Sequence, residues 1–215
     1  MSRKKSSNQT KLLSLTAISP VDGRYREKTE ELSLYLSEYA LIKTRVETEI
    51  KYLLFLSKVG VAPKITKKSD LQRIHKDFPI KDAQKVKEIE KETNHDVKAV
   101  EYFIASRLKS LKLTKLRPFV HFGLTSNDIN SLAYRLMIKR ALDKVLLPEL
   151  NYLIKNLASI SHKHSSTAML ARTHGQAAVP TTFGKEIAVF VDRLKKQLEH
   201  VKNKKMEGKF GGAVG

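Results

Sequence analysis

Apolar side chains recur every three or four residues through most of this chain. Four such rows stand out: Tyr39, Ile42, Val46, Ile50 and Leu53; Val97, Val100, Ile104 and Leu108; Leu142, Leu146, Leu150, Leu153, Leu157 and Ile160; and Ile187, Val191, Leu194, Leu198 and Val201. This spacing places the apolar residues on one face of an α-helix, and alternating steps of four and three are typical of the seam of a helical bundle. The sequence therefore predicts an all-α fold.

The ends of the longest predicted helices follow from glycine and proline. The helix of the first row is predicted from about residue 31 to residue 58, and Gly60 and Pro63 follow it. The helix of the third row is predicted from about residue 127 to residue 163. Pro148 lies inside it and predicts a kink or a local break, because proline cannot donate a backbone hydrogen bond. The last helix is predicted to start at Pro180-Thr181-Thr182.

Composition excludes several classes of protein. The 215 residues include no cysteine, which excludes disulfides, thiolate metal sites and cysteine nucleophiles. No run of the sequence approaches the roughly 20 apolar residues that a membrane helix needs. The first thirteen residues contain Arg3, Lys4, Lys5 and Lys11 but no acidic residue. We predict that residues 1–13 are a disordered basic tail, and that the segment 109–115 is a hinge between two subregions.

The chain is strongly basic. It has 41 Lys and Arg against 22 Asp and Glu, a formal net charge of +19. Clustered cations of this kind can bind the phosphates of a nucleic acid. The lysines, however, are spread over almost every segment and alternate with glutamates, as in residues 85–92. A solvated lysine-rich surface is the simpler interpretation, and either interpretation is compatible with a small polyanionic ligand.

A short polar segment between the last two long helical rows contains the first candidate for catalysis. His174 is flanked there by Thr173 and Gly175. Histidine exchanges a proton near neutral pH, and glycine allows the backbone to approach a ligand closely. A loop histidine of this kind can also be a solvated or helix-capping group. His162 and His164 are predicted to be surface residues, because no third ligand lies near them at the spacing of a metal site.

Three other segments place polar side chains beside predicted turns and helix starts. Arg24 and Tyr25 follow a Pro-Val-Asp-Gly turn and could bind a phosphate or carboxylate, or simply lie on the surface. The trio of Asn94, His95 and Asp96 precedes a helix, where Asn94 or Asp96 could be the N-cap and where anions are attracted. Thr125 or Ser126 could cap the next helix, and the negative charge of Asp128 is favourable near the positive end of that helix. Alternatively, Thr125 or Ser126 could bind an oxyanion.

Taken together, five segments resemble the adenylosuccinate lyase family of the fumarase/aspartase superfamily. They are SPVDGRY (residues 19–25), TNHDVKAVEY (93–102), HFGLTSNDIN (121–130), RTHGQ (172–176) and KFGGAVG (209–215). The resemblance extends from about residue 14 to the end and matches roughly the N-terminal half of such an enzyme. It implies an all-helical fold, with an N-terminal helical domain at residues 14–112. It also implies the first part of a central helical-bundle domain at residues 113–215.

The resemblance also implies a function. Members of this family eliminate fumarate from adenylosuccinate to give AMP, and from the succinylaminoimidazole carboxamide ribotide of purine biosynthesis. They are cytoplasmic homotetramers that share active sites between subunits and need no cofactor or metal. The implied roles are a general acid and a set of substrate-binding residues: His174 as the acid; Arg24 and Tyr25 on the phosphate; Asn94, His95 and Asp96 on the substrate; Thr125 and Ser126 on the succinyl part; and Thr173 as a further pocket residue.

This sequence departs from the family pattern at several points. Family members are more than twice as long, and the part beyond this chain carries the mobile loop whose serine acts as the base. We therefore expect the 215-residue chain to be inactive alone. Ala177 stands where proline is usual, which predicts a less rigid loop, and Asn127 stands where an acidic residue is common. The alternative function is a non-enzymatic module, either a basic nucleic-acid-binding protein or a self-associating helical scaffold that exposes apolar rows.

Overall fold

A computed structural model describes residues 15–214 of the chain. The predicted tail at residues 1–13 lies outside the described residues. Contacts between Cα atoms divide the chain into two compact units. The first consists of the described parts of residues 1–141 and 207–215, and the second of residues 142–206. The predicted domain boundary between residues 112 and 113 stays a prediction.

The first unit consists of helices joined by short turns. They are α1 (Arg26–Leu36), α2 (Glu38–Lys58), α3 (Lys68–Lys76), α4 (Ile80–Thr93), α5 (Asp96–Ser110), a 3-10 helix (Thr114–Phe119) and α6 (Ser126–Ala141). The region predicted as one helix from residue 31 is interrupted at Ser37. Its hydroxyl oxygen accepts a hydrogen bond from the backbone N–H of Ala40, 3.2 Å away, and so caps α2.

The core of the first unit is formed by α2 and α5 together with α3, α4 and the 3-10 helix. The predicted rows are buried there: Ile42, Val46, Ile50 and Leu53 on α2, and Val97, Val100, Ile104 and Leu108 on α5. The ring of Phe78 packs edge-on against Phe103, with centroids 5.7 Å apart. The helical periodicity of both segments is therefore confirmed, and its apolar face is the face that the fold buries.

Helix α2 also buries polar side chains beside its apolar row. Thr44, Arg45, Glu47, Thr48 and Glu49 are all buried. Glu47 Oε1 lies 2.6 Å from Lys51 Nζ and 2.7 Å from Arg140 Nη2. Burial alone would raise the pKa of Glu47, but the hydrogen bonds from Arg140 and Lys51 lower it to about 2. Among the described residues, every buried side-chain nitrogen or oxygen has a hydrogen-bond partner, as expected for polar groups in a packed interior.

The second unit contains two long helices and a hairpin. Its elements are a π-helical turn (Leu142–Leu146), α7 (Leu147–Lys163), β1 (Ala168–Thr173), β2 (Gln176–Thr182) and α8 (Phe183–Asn203). Pro148 lies in the first turn of α7. The change of winding directly before it confirms the predicted disturbance, since the proline ring clashes with the carbonyl four residues earlier and offers no N–H to it.

The segment around His174 is a β-hairpin, whereas the sequence predicted a loop. Strands β1 and β2 pair in antiparallel fashion, with a register shift between Leu170 and Arg172. The last helix begins at Phe183, not at Pro180, because the β-branched Thr181 and Thr182 complete the strand. The hydroxyl of Thr182 then caps α8 by accepting from Lys185 N at 3.2 Å. This hairpin is the single sheet among the described residues, and the all-α class is confirmed.

Helices α7 and α8 pack through part of their predicted rows. Ile154, Val191 and Leu198 are buried, with Leu150, Leu157 and Leu194 packed around them. Other apolar side chains of these helices are exposed: Tyr152, Leu153, Ile160 and Phe190. No helix in the described part of the chain is long and apolar enough to span a membrane.

Gly184 fixes how closely α8 approaches the end of α7. A Cβ atom at this position would lie 2.3 Å from the carbonyl oxygen of Ser161 and 2.7 Å from the carbonyl carbon and oxygen of His164. These are backbone atoms that cannot rotate away. We therefore expect Gly184→Ala to destabilise the second unit by about 1–3 kcal/mol or more, measured by urea unfolding. Gly208→Ala is the control, because its Cβ would meet only the flexible side chain of Leu132. Equal losses in the two variants would contradict this.

Candidate functional site

The turn before α1 presents Arg24 and Tyr25 at the surface. It is closed by backbone hydrogen bonds from Gly23 N to Ser19 O (2.9 Å) and from Tyr25 N to Pro20 O (2.9 Å). The guanidinium carbon of Arg24 lies 5.6 Å from the centroid of the Tyr25 ring. Both side chains line an open cavity of about 460 Å³. An exposed guanidinium beside a phenol can bind a phosphate or carboxylate with several donors.

The trio at residues 94–96 joins α4 to α5. Asn94 has a left-handed conformation (φ 49°) and ends α4, with its N–H donating to Glu90 O at 2.8 Å. His95 is extended and is the cap of α5, because its Nδ1 accepts from Lys98 N at 3.1 Å. The expectation that Asn94 or Asp96 would be the N-cap was therefore wrong. Since Nδ1 of His95 accepts, its Nε2 is the nitrogen free to face a ligand.

Asp96 is tied to the protein through both oxygens. Its Oδ1 accepts from Val97 N at 2.8 Å, and its Oδ2 accepts from Arg45 Nη2 at 2.5 Å. Burial alone would raise the pKa of Asp96, but the charge of Arg45 and the hydrogen bonds from Val97 and Arg45 lower it. Arg45 also donates from Nε to Asn130 Oδ1 at 2.8 Å. This one guanidinium therefore connects the first turn of α5 to α6.

Thr125 and Ser126 stand half-buried at the start of α6. The N–H of Thr125 donates to Asp128 Oδ2 at 2.9 Å, and Asp128 N donates back to Thr125 O at 3.0 Å. Asp128 thus supports this helix start from within the first turn, as predicted from its charge. The hydroxyls of Thr125 and Ser126 lie where an oxyanion would meet a positive helix end.

Asp128 also binds the glycine-rich segment near residue 211, a contact that the sequence did not predict. Its carboxylate also accepts from Gly211 N at 2.9 Å and Gly212 N at 3.2 Å, and Lys209 Nζ lies 3.2 Å away. Burial alone would raise the pKa of Asp128, but the hydrogen bonds from the backbone N–H groups of Gly211 and Thr125 and from Lys209 lower it to about 2. The glycine-rich segment was recognisable as a motif, but the sequence gives no signal of which carboxylate it binds.

A buried pair of Glu49 and His121 was also missed. Glu49 Oε1 lies 2.5 Å from His121 Nδ1, and Glu49 Oε2 accepts from the backbone N–H of His121 at 3.2 Å. Burial alone would lower the pKa of His121, but the hydrogen bond and charge of Glu49, with the charge of Glu101, raise it overall. The sequence signal was a histidine inside a recognised motif, but its partner lies 72 residues away.

The remaining two candidates belong to the second unit. Thr173 pairs with Gln176 across the hairpin, so His174 and Gly175 form its two-residue turn. Both have positive φ, 50° for His174 and 75° for Gly175, which is the combination of a type I′ turn. His174 and Thr173 are exposed. The structure thus places seven of the nine predicted site residues in the first unit and these two in the second.

The described residues contain no group of three or more His, Cys, Asp or Glu side chains that could hold a metal ion. In the first unit, candidate hydrogen-bonding side chains lie at two helix starts. The start of α5 provides His95, and the start of α6 provides Thr125 and Ser126. Such groups are suited to binding anions and stabilising developing negative charge.

Comparison with known proteins gives a consistent result. The lyase family model matches residues 23–215. The chain is 47% identical over 214 residues to the adenylosuccinate lyase of Dictyostelium discoideum, and 43% identical over 210 residues to that of Haemophilus influenzae. Each alignment covers 95% of this chain and 46% of the relative. The chain therefore spans about half the length of the curated relatives it matches.

Solved structures share the fold. The β-carboxy-cis,cis-muconate cycloisomerase of Acinetobacter calcoaceticus aligns with a TM-score of 0.73 at 24% identity, over 86% of this chain and 43% of that one. A fumarate lyase from Mesorhizobium aligns with a TM-score of 0.71 at 23% identity, over 88% of this chain and 43% of that one. At this level of identity the similarity concerns the fold alone.

Proposed function

The chain belongs to the lyase family, and from that membership we propose that the whole protein is an adenylosuccinate lyase of purine nucleotide biosynthesis. It eliminates fumarate from adenylosuccinate to give AMP, and from the succinylaminoimidazole carboxamide ribotide. The observation that carries this proposal is the likeness to curated adenylosuccinate lyases over nearly the whole chain. The protein is a C–N lyase, and neither of its two eliminations requires a cofactor.

His174 is the proposed general acid. In the elimination a base removes a proton from a carbon of the succinyl group, the C–N bond breaks, and the electron pair of that bond moves to nitrogen. His174 donates a proton to this nitrogen, and fumarate leaves. Its position supports the role, because the paired strands fix the backbone of the turn and the turn leaves the imidazole exposed to a substrate. Thr173, the last residue of β1, contributes to the same substrate pocket.

The residues of the first unit hold the anionic substrate. Arg24 and Tyr25 bind the phosphate, which agrees with their place around an open cavity. Thr125 and Ser126 contact the succinyl part through hydroxyl and N–H groups at a helix start. Asn94, His95 and Asp96 also bind the substrate.

The binding role of the trio is compatible with its contacts inside the protein. His95 keeps Nε2 available, since its Nδ1 is used by the helix cap. Asp96 retains 45% of its side-chain surface exposed despite its contact with Arg45. Its carboxylate can therefore still accept a hydrogen bond from a substrate hydroxyl.

The base is proposed to lie outside this chain, on a serine-bearing loop. We further propose a cytoplasmic homotetramer whose active sites are shared between subunits. Fumarate release from adenylosuccinate tests these points. We expect release by the whole protein and none by the 215-residue chain alone, because a positioned proton transfer contributes about 10²–10⁴ in rate. A whole protein without activity would overturn the lyase assignment. Turnover by the chain alone would instead show that the base is within residues 1–215.

The alternative functions have less support. Several lysines of the first unit are paired with carboxylates, for example Lys98 Nζ with Glu101 Oε2 at 2.6 Å and Lys87 Nζ with Glu90 Oε2 at 2.8 Å. This pattern favours a solvated mixed-charge surface over a dedicated nucleic-acid face. The exposed apolar residues of α7 and α8 are compatible with self-association, which a lyase tetramer also requires.

A further inference from the structure

Arg45 is a buried cation that contacts two other helices. It lies on α2, and its side chain is 5% exposed. Its Nη2 donates to Asp96 Oδ2 on α5 at 2.5 Å, and its Nε donates to Asn130 Oδ1 on α6 at 2.8 Å. Nε and Nη2 form one edge of the planar guanidinium, and this edge suits two acceptors that lie side by side. Arg45 therefore holds an oxygen of α5 next to an oxygen of α6.

Stability alone does not account for an arginine at this position. Burying a guanidinium costs desolvation energy, and apolar side chains of similar volume are often at least as stable in place of a buried ion pair. Asn130 is neutral, so its bond to Arg45 adds no attraction between opposite charges. What an apolar side chain could not provide is a fixed spacing between two polar groups on different helices, which the rigid guanidinium does provide.

The two groups bound by Arg45 belong to the helix starts of the candidate site. Asp96 is a member of the trio and follows His95, the cap of α5. Asn130 comes four residues after Ser126, with which α6 begins. Residues four apart lie on the same face of a helix, one turn from each other. The contact from α2 thus fixes the first turn of α5 relative to the first turns of α6.

We propose that Arg45 is a positioning residue, which sets the spacing between the trio of residues 94–96 and the Thr125–Ser126 helix start so that one substrate molecule contacts both. The inference rests on the proposed function, in which the hydroxyls of the α6 start contact the succinyl part and the trio adds further contacts to the same molecule. Arg45 acts through Asp96 and Asn130 and does not itself touch the substrate.

The variant Arg45→Lys separates charge from spacing. Lysine keeps a positive charge near Asp96, but its ammonium is not a planar fork that aligns two acceptors. In the whole protein the KM for adenylosuccinate should rise on the order of tenfold, about the loss of one hydrogen bond. The inhibition constant of fumarate, which corresponds to the succinyl part alone, should stay near the wild-type value. An unchanged KM, or an equal loss of affinity for both ligands, would contradict the proposal.

Arg140→Lys is the matched control. Arg140 also joins α6 to α2, because its Nη2 lies 2.7 Å from Glu47 Oε1, but Glu47 is not part of the candidate site. The same chemical change at this position should leave the KM for adenylosuccinate near the wild-type value. A rise in KM as large as that of Arg45→Lys would mean that any loosening between α2 and α6 has this effect, and would refute a specific role for Arg45.

Asn130→Ala tests the other end of the contact. It leaves the ion pair between Arg45 and Asp96 in place, so it also serves if Arg45→Lys does not fold. The variant should raise the KM for adenylosuccinate by itself. In the Arg45→Lys background it should add little, because the same contact is already lost and the two changes are therefore not additive. Fully additive effects, or no effect of Asn130→Ala in the wild-type background, would overturn the proposal.

A third measurement needs no turnover. Proton–nitrogen NMR of the 215-residue chain observes the Nε–H of Arg45, whose bond to Asn130 should slow its exchange with water. We expect faster exchange in Asn130→Ala, and equal rates in the two proteins would show that the contact does not hold Arg45 in solution. A whole wild-type protein that releases no fumarate would overturn the proposed function instead. The exchange rates would still decide whether Arg45 is bound to α6.

Discussion

Replacing His174 by asparagine is expected to lower kcat of the whole protein by about 10²- to 10⁴-fold, the usual contribution of one positioned proton transfer. Asparagine cannot donate a proton to the leaving nitrogen. It should nevertheless keep the hairpin, because Asn-Gly is the preferred pair for a type I′ turn with two positive φ values. The measurements are steady-state fumarate release and thermal unfolding monitored by circular dichroism.

His174→Gln is the companion variant. Glutamine also lacks the acid function, but it tolerates the left-handed conformation less well than asparagine. Both variants should therefore lose turnover to a similar degree, whereas the His174→Asn protein should be at least as stable as the wild type. Normal turnover in either variant would remove His174 from the acid role. Unfolding of both would instead indicate that the imidazole stabilises the hairpin.

Replacing Asp128 by asparagine is expected to destabilise the first unit by about 3 kcal/mol, the lower end for breaking a buried charge pair. An amide has one acceptor oxygen where the carboxylate has two, and its NH₂ group would face N–H donors. The N–H groups of Thr125, Gly211 and Gly212 could not all be satisfied. Hydrogen exchange at Gly211 should become fast, and urea unfolding should shift to lower concentration. Asp192→Asn is the control, because its ion pair with Lys196 is exposed.

The same variant gives a pH test with a defined sign. The pKa of Asp128 is lowered from 3.8 to about 2 in the folded protein. The unfolded chain therefore takes up this proton first as the pH falls, and the stabilisation is lost between those two values. Below pH 3.8 the difference in unfolding free energy between wild type and Asp128→Asn should shrink. A difference that is independent of pH in this window would mean that the carboxylate is not the stabilising group.

Local patterns allowed most of the helices to be predicted. The rows containing Val46 and Val100 are buried as their spacing indicates, since a three- and four-residue repeat depends only on helix geometry. Pro148 predicted a kink or a local break for an equally local reason, and a π-helical turn directly precedes its helix. The hairpin was not predicted, because β1 and β2 are short, contain alanines and show no alternating pattern.

The contacts of the site could not be predicted in the same way. The choice of His95 as the cap of α5 depends on the left-handed conformation of Asn94 just before it. The glycine partners of Asp128 and the histidine partner of Glu49 lie more than 70 residues away along the chain. Pairings at this distance are set by how helices pack, and one sequence contains no periodic signal for them.

Helix α2 carries two parallel stripes that differ by one position. Val46, Ile50 and Leu53 form the apolar one, while Arg45, Glu49 and Tyr52 contact Asp96, His121 and Phe122. For protein engineering, α2 is therefore a support of the site, although it contains none of the nine predicted site residues. A graft of the recognised motifs onto another scaffold would need this helix in the same register. Moving it by one residue would turn the polar stripe about 100° away.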